Sequence, residues 1–399
     1  MKKTKSNTLD PGSKSQLSGN SICTFNDDNT WYHSLRYTFE EYVSLGKKGC
    51  RLTKKQTILE GVKNLPPEIN SLLNLDTLSL RSDDMSKLPQ EICNLTNLKS
   101  LSLETRLSQL PPEINKLTTL EKFHFSSGNL IELPSEIGDL LSLKHLSIYC
   151  GKLNELPHEI GNLVNLEELS VSGNLTELPP EIGNLVNLEE LSVSGKNLTK
   201  LPPEIGNLIN LKSLQIRNSK ISRIPPEIGN LFNLKKLLIS NTELSELPSE
   251  IGNLINLEEL ELFMNKLTKL PQEFLRLSNM IKLFLSSNKL TSIPQGIGNL
   301  FNLKKLSISH NELSEIPSGI GDLLNIDVLN ISYNNISELP PEIWRLTNLK
   351  ELLLNFNKLS TLPPEIGHLV NLENLGISGN CINELPPETG TLKNLQCVI

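Results

Sequence analysis

Cysteine is scarce and scattered: Cys23, Cys50, Cys93, Cys150, Cys381 and Cys397 are all that 399 residues contain. They have no metal-ligand spacing and do not cluster like the cysteines that cap extracellular repeat proteins. No stretch reaches the roughly 18 unbroken apolar residues of a membrane span. Basic charge is not in excess, since 38 Lys and Arg stand against 45 Asp and Glu for a net charge of -7, with the two signs interspersed. Phosphate backbones require a basic stripe, so nucleic acid is not an expected partner. The polar start carries Lys2, Lys3 and Lys5 with no apolar segment behind them, and it does not read as a Sec signal peptide. A reducing cytoplasm is the expected location. Catalytic signatures are missing as well: the chain holds no G-x-x-x-x-G-K-[ST], no G-x-S-x-G and no H-E-x-x-H.

What the chain has in abundance is a repeat. A Leu-Pro or Ile-Pro pair recurs fifteen times from Leu65 to Leu385, and twelve of the fourteen intervals are 23 residues. The two that begin at Leu88 and Leu156 are 22 residues, each losing one position just after the strand. Leu247 to Lys269 is the cleanest unit, with L-x-x-L-x-L-x-x-N-x-L running from Leu257 to Leu267.

Each part of the unit has a physical reading. The alternation in Leu260-Glu261-Leu262 sends both leucines to one face and Glu261 to the other, as a short strand requires. Asn265 ends the strand where a side-chain amide can satisfy buried backbone groups, each costing about 1–3 kcal/mol if left unpaired. Leu-Pro-Pro-Glu opens a short helical or 3-10 segment, with proline where no N–H is needed and glutamate where the helix dipole favours an anion. That glutamate is present in thirteen of fifteen units, Gly296 and Gly319 being the exceptions, and is read as capping chemistry. One unit cannot bury its own apolar face, whereas stacked units share a continuous core. The expected fold is therefore an α/β solenoid: a horseshoe with a parallel sheet on the concave face and short helical or 3-10 segments on the convex face. Strands about 4.8 Å apart over fourteen steps trace an arc of roughly 65–70 Å, enough to grip a protein domain.

The L-P-x-E-I-G-x-L-x-N-L-x-x-L-x-L-x-x-N-x-L unit resembles the typical intracellular leucine-rich repeat. Similar units occur in bacterial repeat proteins, plant intracellular Ras-group-related proteins, Ras-pathway scaffolds, Roco GTPases and disease-resistance proteins. The likeness covers about residues 56–399. It implies protein–protein recognition on the concave face, usually in signalling or immunity, and it implies no catalytic residue and no cofactor.

The asparagine place is filled by Asn265, Asn288, Asn311, Asn334, Asn357 and Asn380, but by Asp83, Gly128, Gly151, Lys196, Ser219 and Thr242 in earlier units. The N-terminal half is accordingly expected to be looser at those turns. Three regions follow: a disordered tail over 1–29, a capping helix region over 30–55 that carries Trp31, Leu35, Tyr42 and Val43 on one face, and an array of about fifteen repeats over 56–399. The last residues, Leu395 to Ile399, read as a strand whose open edge invites end-to-end self-association.

Two surface features carry a binding expectation. At outward strand positions Leu238, Phe263, Phe284 and Leu353 are large and apolar, and burying such a side chain is worth roughly 1.5–3 kcal/mol, so a cluster of them points to a partner. Met264, Tyr333 and Phe356 precede the asparagine of their units and extend the candidate surface. His124, His145, Tyr149 and Cys150 fall on adjacent concave units but lack the spacing and matched carboxylates of a metal or nucleophile site. Glu167, Glu168, Glu189 and Glu190 form an acidic cluster, with Lys235, Lys236, Lys304 and Lys305 further along. The expected function is a non-enzymatic scaffold or adaptor, probing for another protein with its concave face in signalling. The alternatives are the sensor module of a signalling enzyme or immune receptor whose catalytic part is elsewhere, and a bacterial effector.

Overall fold

The structure, a computed structural model, describes residues 22–23, 56–60, 65, 69–70 and 72–398. Among the described residues the chain forms one parallel sheet of seventeen strands, from Ile22–Cys23 and Gln56–Glu60 to Asn374–Gly376 and Cys397–Val398. Each strand pairs with the strand of the next unit, and the register never slips: Leu237 lies beside Leu260, Leu260 beside Leu283, and Leu283 beside Leu306. A unit of fixed length returns the chain to the same point one strand further on, so equivalent residues stack in columns. Both strand leucines, the Leu or Ile of the Leu-Pro pair and the isoleucine after it form one buried cluster running from Leu65 to Leu392. The solenoid is thus a leucine-rich-repeat horseshoe with the sheet on its concave side.

The convex side consists of five-residue 3-10 segments such as Pro226–Asn230 and Ser249–Asn253. Proline stands at the N-cap, and its carbonyl accepts the N–H of the residue three places on, as Pro225 does from Ile228 at 3.1 Å. The glutamate read as capping chemistry stands in the first turn of these segments, as Glu227 and Glu250 do. Its backbone and Cβ also press on the glycine of the preceding unit, where a Cβ on Gly206 would lie 2.5 Å from the Glu227 carbonyl oxygen. The glycine of Glu-Ile-Gly is therefore a slot for the next unit. Where Leu275 replaces it, the next unit answers with Gly296, at which a Cβ would sit 2.8 Å from a Leu275 methyl, and this accounts for one of the two missing glutamates.

The array has two regimes, which differ in one column at the end of the strand. In the early units this column holds Ser82, Thr105, Ser127, Cys150, Gly173 and Gly195, all buried, and the strands run five or six residues. From Asn218 onward the same column turns into the left-handed region, with φ of 51° to 57° at Asn218, Asn241, Met264, Ser287, His310, Tyr333 and Phe356 and 70° at Gly379. The flip turns that side chain outward and buries the next one, which is where the asparagine ladder stands. From Glu259–Glu261 to Asn374–Gly376 the strands shorten to three residues.

This corrects the expectation for the early units. Asp83, Gly128, Gly151 and Lys196 are exposed, and the buried position is one residue earlier. These turns need no asparagine because longer strand pairing satisfies their backbone, so the stated reason for a looser N-terminal half falls away. Local weak points do remain, since the buried hydroxyls of Thr105 and Ser219 have no hydrogen-bond partner. The capping helix over 30–55 and nearly all of the tail over 1–29 lie outside the described residues. Within that tail, Ile22–Cys23 form a short strand parallel to Ile58–Leu59.

Candidate protein-binding surface

The outward residues of the strands form the concave wall in three columns. The middle one runs Gln215, Leu238, Glu261, Phe284, Ser307, Asn330, Leu353 and Gly376, each in register with the next. Leu238 and Phe284 therefore share a column but are separated by Glu261. Phe263 stands two residues beyond Glu261, past the end of its strand, and belongs to a neighbouring column. The three apolar residues do not form the contiguous triangle that consecutive units suggested.

Exposure divides them further. Leu238 is only 3% exposed, sealed by its neighbours on the wall, so it offers a partner almost no surface; this corrects its reading as an open anchor. Phe263, Phe284 and Leu353 are half-buried. Leu353 leans over the next unit, where a Cβ on Gly376 would meet its methyl at 3.0 Å.

Charge fills the gap between the apolar residues. Lys236 Nζ reaches Glu259 at 3.0 Å and Glu261 at 3.1 Å, and Lys282 reaches Glu259 as well. The hydrogen bond from Lys282 holds the Glu259 carboxyl below its ordinary pKa against the opposing effect of burial, with Lys236 adding to it. Burial alone would lower the Lys236 pKa, but the Glu259 and Glu261 carboxylates outweigh it and hold the ammonium above its ordinary value. This network ties the strand that carries Phe284 to the two strands before it through Glu259 and Lys236.

Further exposed apolar groups stand at the flipped column. Met264 is 52% exposed, Tyr333 43% and Phe356 48%. The rings of His310 and Tyr333 stack at 4.0 Å between centroids and 11°, and those of Tyr333 and Phe356 at 4.4 Å and 18°. The stack ends at Gly379, where any Cβ would strike the Phe356 ring at 2.5 Å. Its spacing follows from the parallel sheet, because one ring per unit at strand spacing is within stacking distance. His310 was missed from the sequence, although counting one place back from Asn311 finds it.

The histidine cluster does not assemble into a chemical site. His145 pairs with Glu168 at 3.0 Å, and His124 tilts against Tyr149 with centroids 5.5 Å apart. Cys150 is buried, and burial pushes its thiol up to about 11, far from a reactive thiolate. Among the described residues no group of His, Cys, Asp and Glu could hold a metal ion, and no helix is long and apolar enough to cross a membrane. Glu167, Glu189, Lys235 and Lys304 stand on the rim where the strands begin, while Glu168, Glu190, Lys236 and Lys305 occupy the first concave column. Cys397–Val398 pairs with Asn374–Leu375 and is exposed.

A regular solenoid with an open, partly apolar inner wall and no catalytic motif defines a repeat-type recognition module. The leucine-rich repeat region family matches residues 123–197, 226–312 and 294–359, and the chain belongs to the leucine-rich-repeat family. It is similar to the solved structure of a leucine-rich-repeat protein from Leptospira interrogans, at 38% identity and TM-score 0.77 over 84% of this chain and 86% of that one. It is similar to a plant peptide hormone receptor, RGFR1, solved in complex with RGF2, at 31% identity and TM-score 0.65 over 87% of this chain and 65% of that one. The ectodomain of the membrane receptor kinase GASSHO1/SCHENGEN3 from Arabidopsis thaliana, solved with Casparian strip integrity factor 2, is 30% identical with TM-score 0.61. That likeness covers 86% of this chain and 46% of the ectodomain, so the chain spans under half of it. None of the curated proteins matches the sequence.

These comparisons overturn the cytoplasmic expectation, because the arrays it resembles include a membrane receptor's ectodomain. The inference from cysteine failed for a physical reason. Cys93, Cys150, Cys381 and Cys397 are free, and leucine packing and ladder hydrogen bonds hold the described array together, so sparse cysteine does not report the compartment.

Proposed function

We propose that the array is a non-enzymatic recognition scaffold that binds another protein along a strip of its concave face, formed by Phe263, Phe284 and Leu353 with Met264, Tyr333 and Phe356 on its rim and His310 within the ring stack. The carrying observation is the exposed stack at left-handed positions. A side chain other than glycine costs about 1–2 kcal/mol there, and backbone strain of this kind clusters at functional sites. Asparagine or serine fills the same column at Asn218, Asn241 and Ser287, so bulky residues at Met264, Tyr333 and Phe356 are not required by the turn. Leu238 drops out of the strip because it is sealed. The similar plant receptor arrays, each solved with a bound factor, support recognition as the general role. Their likeness also favours a second reading, in which the chain is the sensor part of a signalling receptor.

The test is capture from native extract followed by mass spectrometry, comparing the wild-type chain with the Phe263→Ala/Phe284→Ala and Tyr333→Ala/Phe356→Ala variants. Central aromatic anchors typically cost 2 kcal/mol or more when truncated, so each variant should bind at least about 30-fold more weakly while its circular dichroism stays unchanged. Undiminished capture by both variants would retire the strip.

A further inference from the structure

An exposed apolar ridge runs along the rim where the chain enters each strand. Leu141, Val164, Val186, Ile209, Phe232 and Ile255 occupy the same place in six consecutive units, each 44–55% exposed. Together they present on the order of 500 Å² of side chain, the upper end of what a monomer's largest apolar patch reaches. The ridge is held in position from behind. The backbone carbonyl of each residue accepts the side-chain amide of an asparagine in the next unit, as Val186 does from Asn210 and Ile209 from Asn233, at 2.8 and 2.9 Å.

Three residues beyond each ridge residue stands a charged one: Lys144, Glu167, Glu189, Lys212, Lys235 and Glu258. Reading this row from both ends toward its centre gives opposite charges at every step, Lys144 against Glu258, Glu167 against Lys235, and Glu189 against Lys212. The centre of this antisymmetry lies between Val186 and Ile209, which is also the centre of the ridge. We infer that the occupant of the ridge is a second copy of this chain, laid antiparallel against the first about a two-fold axis through that centre. Ridge then meets ridge, and the charged rows meet in reverse order with three complementary pairs on each side of the axis.

The register is determined. Sliding one copy by a single unit sets Glu189 on itself and Lys144 on Lys235, or Lys212 on itself and Glu167 on Glu258. The match also ends where the apolar run ends, since the flanking units bring Glu121 to Ile281 and Lys99 to Lys304. A two-fold axis along the radius of a horseshoe maps its arc onto itself, so curvature does not oppose the pairing. Both concave walls stay open, and the dimer presents two recognition surfaces side by side.

Sedimentation of the full chain across a wide dilution series tests this, with a species of twice 44.5 kDa expected at the concentrated end. Phe232→Glu should leave only monomer with an unchanged circular dichroism spectrum. Glu167→Lys should raise the dimer dissociation constant at least about tenfold by placing like charges together, and Lys235→Glu added to it should recover most of that loss. A chain that stays monomeric at every concentration overturns the proposal. So does a dimer indifferent to Phe232→Glu, which would pair through another surface such as the Cys397–Val398 edge, and so does a double variant no tighter than the single one.

Discussion

Replacing Asn311 with alanine should open the array at one place and by a calculable amount. Asn311 is 8% exposed, and its Oδ1 accepts the Leu290 N–H at 3.0 Å. Its Nδ2 donates to the carbonyls of Leu285, Ile308 and Ser309 at 3.0 to 3.2 Å. Two of these carbonyls are shared with neighbouring ladder residues, Leu285 with Asn288 and Ile308 with Asn334, and keep a partner after the substitution. The Leu290 N–H has Asn311 as its partner, so the cost is one orphaned buried donor plus weakened shared bonds, about 2–3 kcal/mol. Each unit touches only its neighbours, so the loss stays local. Hydrogen exchange should show the Leu290 amide opening about 30- to 150-fold more readily. Asn311→Asp, the same in shape, should be no milder, because it keeps the acceptor but faces three carbonyls with a carboxylate. An exchange change under tenfold, or one spread evenly over all units, would refute the ladder as the seam between units.

Two more outcomes follow from the flipped column and the wall. Met264→Gly should stabilise the fold by up to about 1 kcal/mol in denaturant unfolding, because Met264 occupies a left-handed position half exposed; a loss of stability would show that its side chain supports packing. Glu259 has a pKa lowered on folding, so its contribution is present above its ordinary value of 4.5 and is lost as pH falls through the folded value. Thermal midpoints of Glu259→Gln should therefore depend less on acid pH than those of wild type, and an identical acid limb would contradict the network.

The fold was legible because the repeat writes it fifteen times. Leucine alternation, proline-initiated turns and ladder asparagines each point to the same columns, and the spacing alone stacks them. What escaped was whatever depends on a neighbour. Leu238 occupies an outward position by count, yet the adjoining units seal it. The glutamate of Pro-Glu-Ile-Gly sits in the first turn as local chemistry suggests, but that its backbone and Cβ also fill the glycine slot of the preceding unit shows only in the stacked array. The early units place Asp83 and Lys196 where asparagine stands later, and only the backbone reveals that their strands run on to Ser82 and Gly195 and bury those residues instead. A second row of asparagines, including Asn210, Asn233 and Asn256, is plain in the sequence once its carbonyl partners are known.

The most direct measurement places a photo-reactive phenylalanine at one position at a time: at Tyr333 on the concave rim, at Phe232 on the lateral ridge, and at Glu227 on the convex side. The account predicts that a captured partner is cross-linked from position 333, a second copy of the chain from position 232, and neither from position 227. Partner cross-links arising from position 227 but not from 333 would contradict recognition through the concave wall.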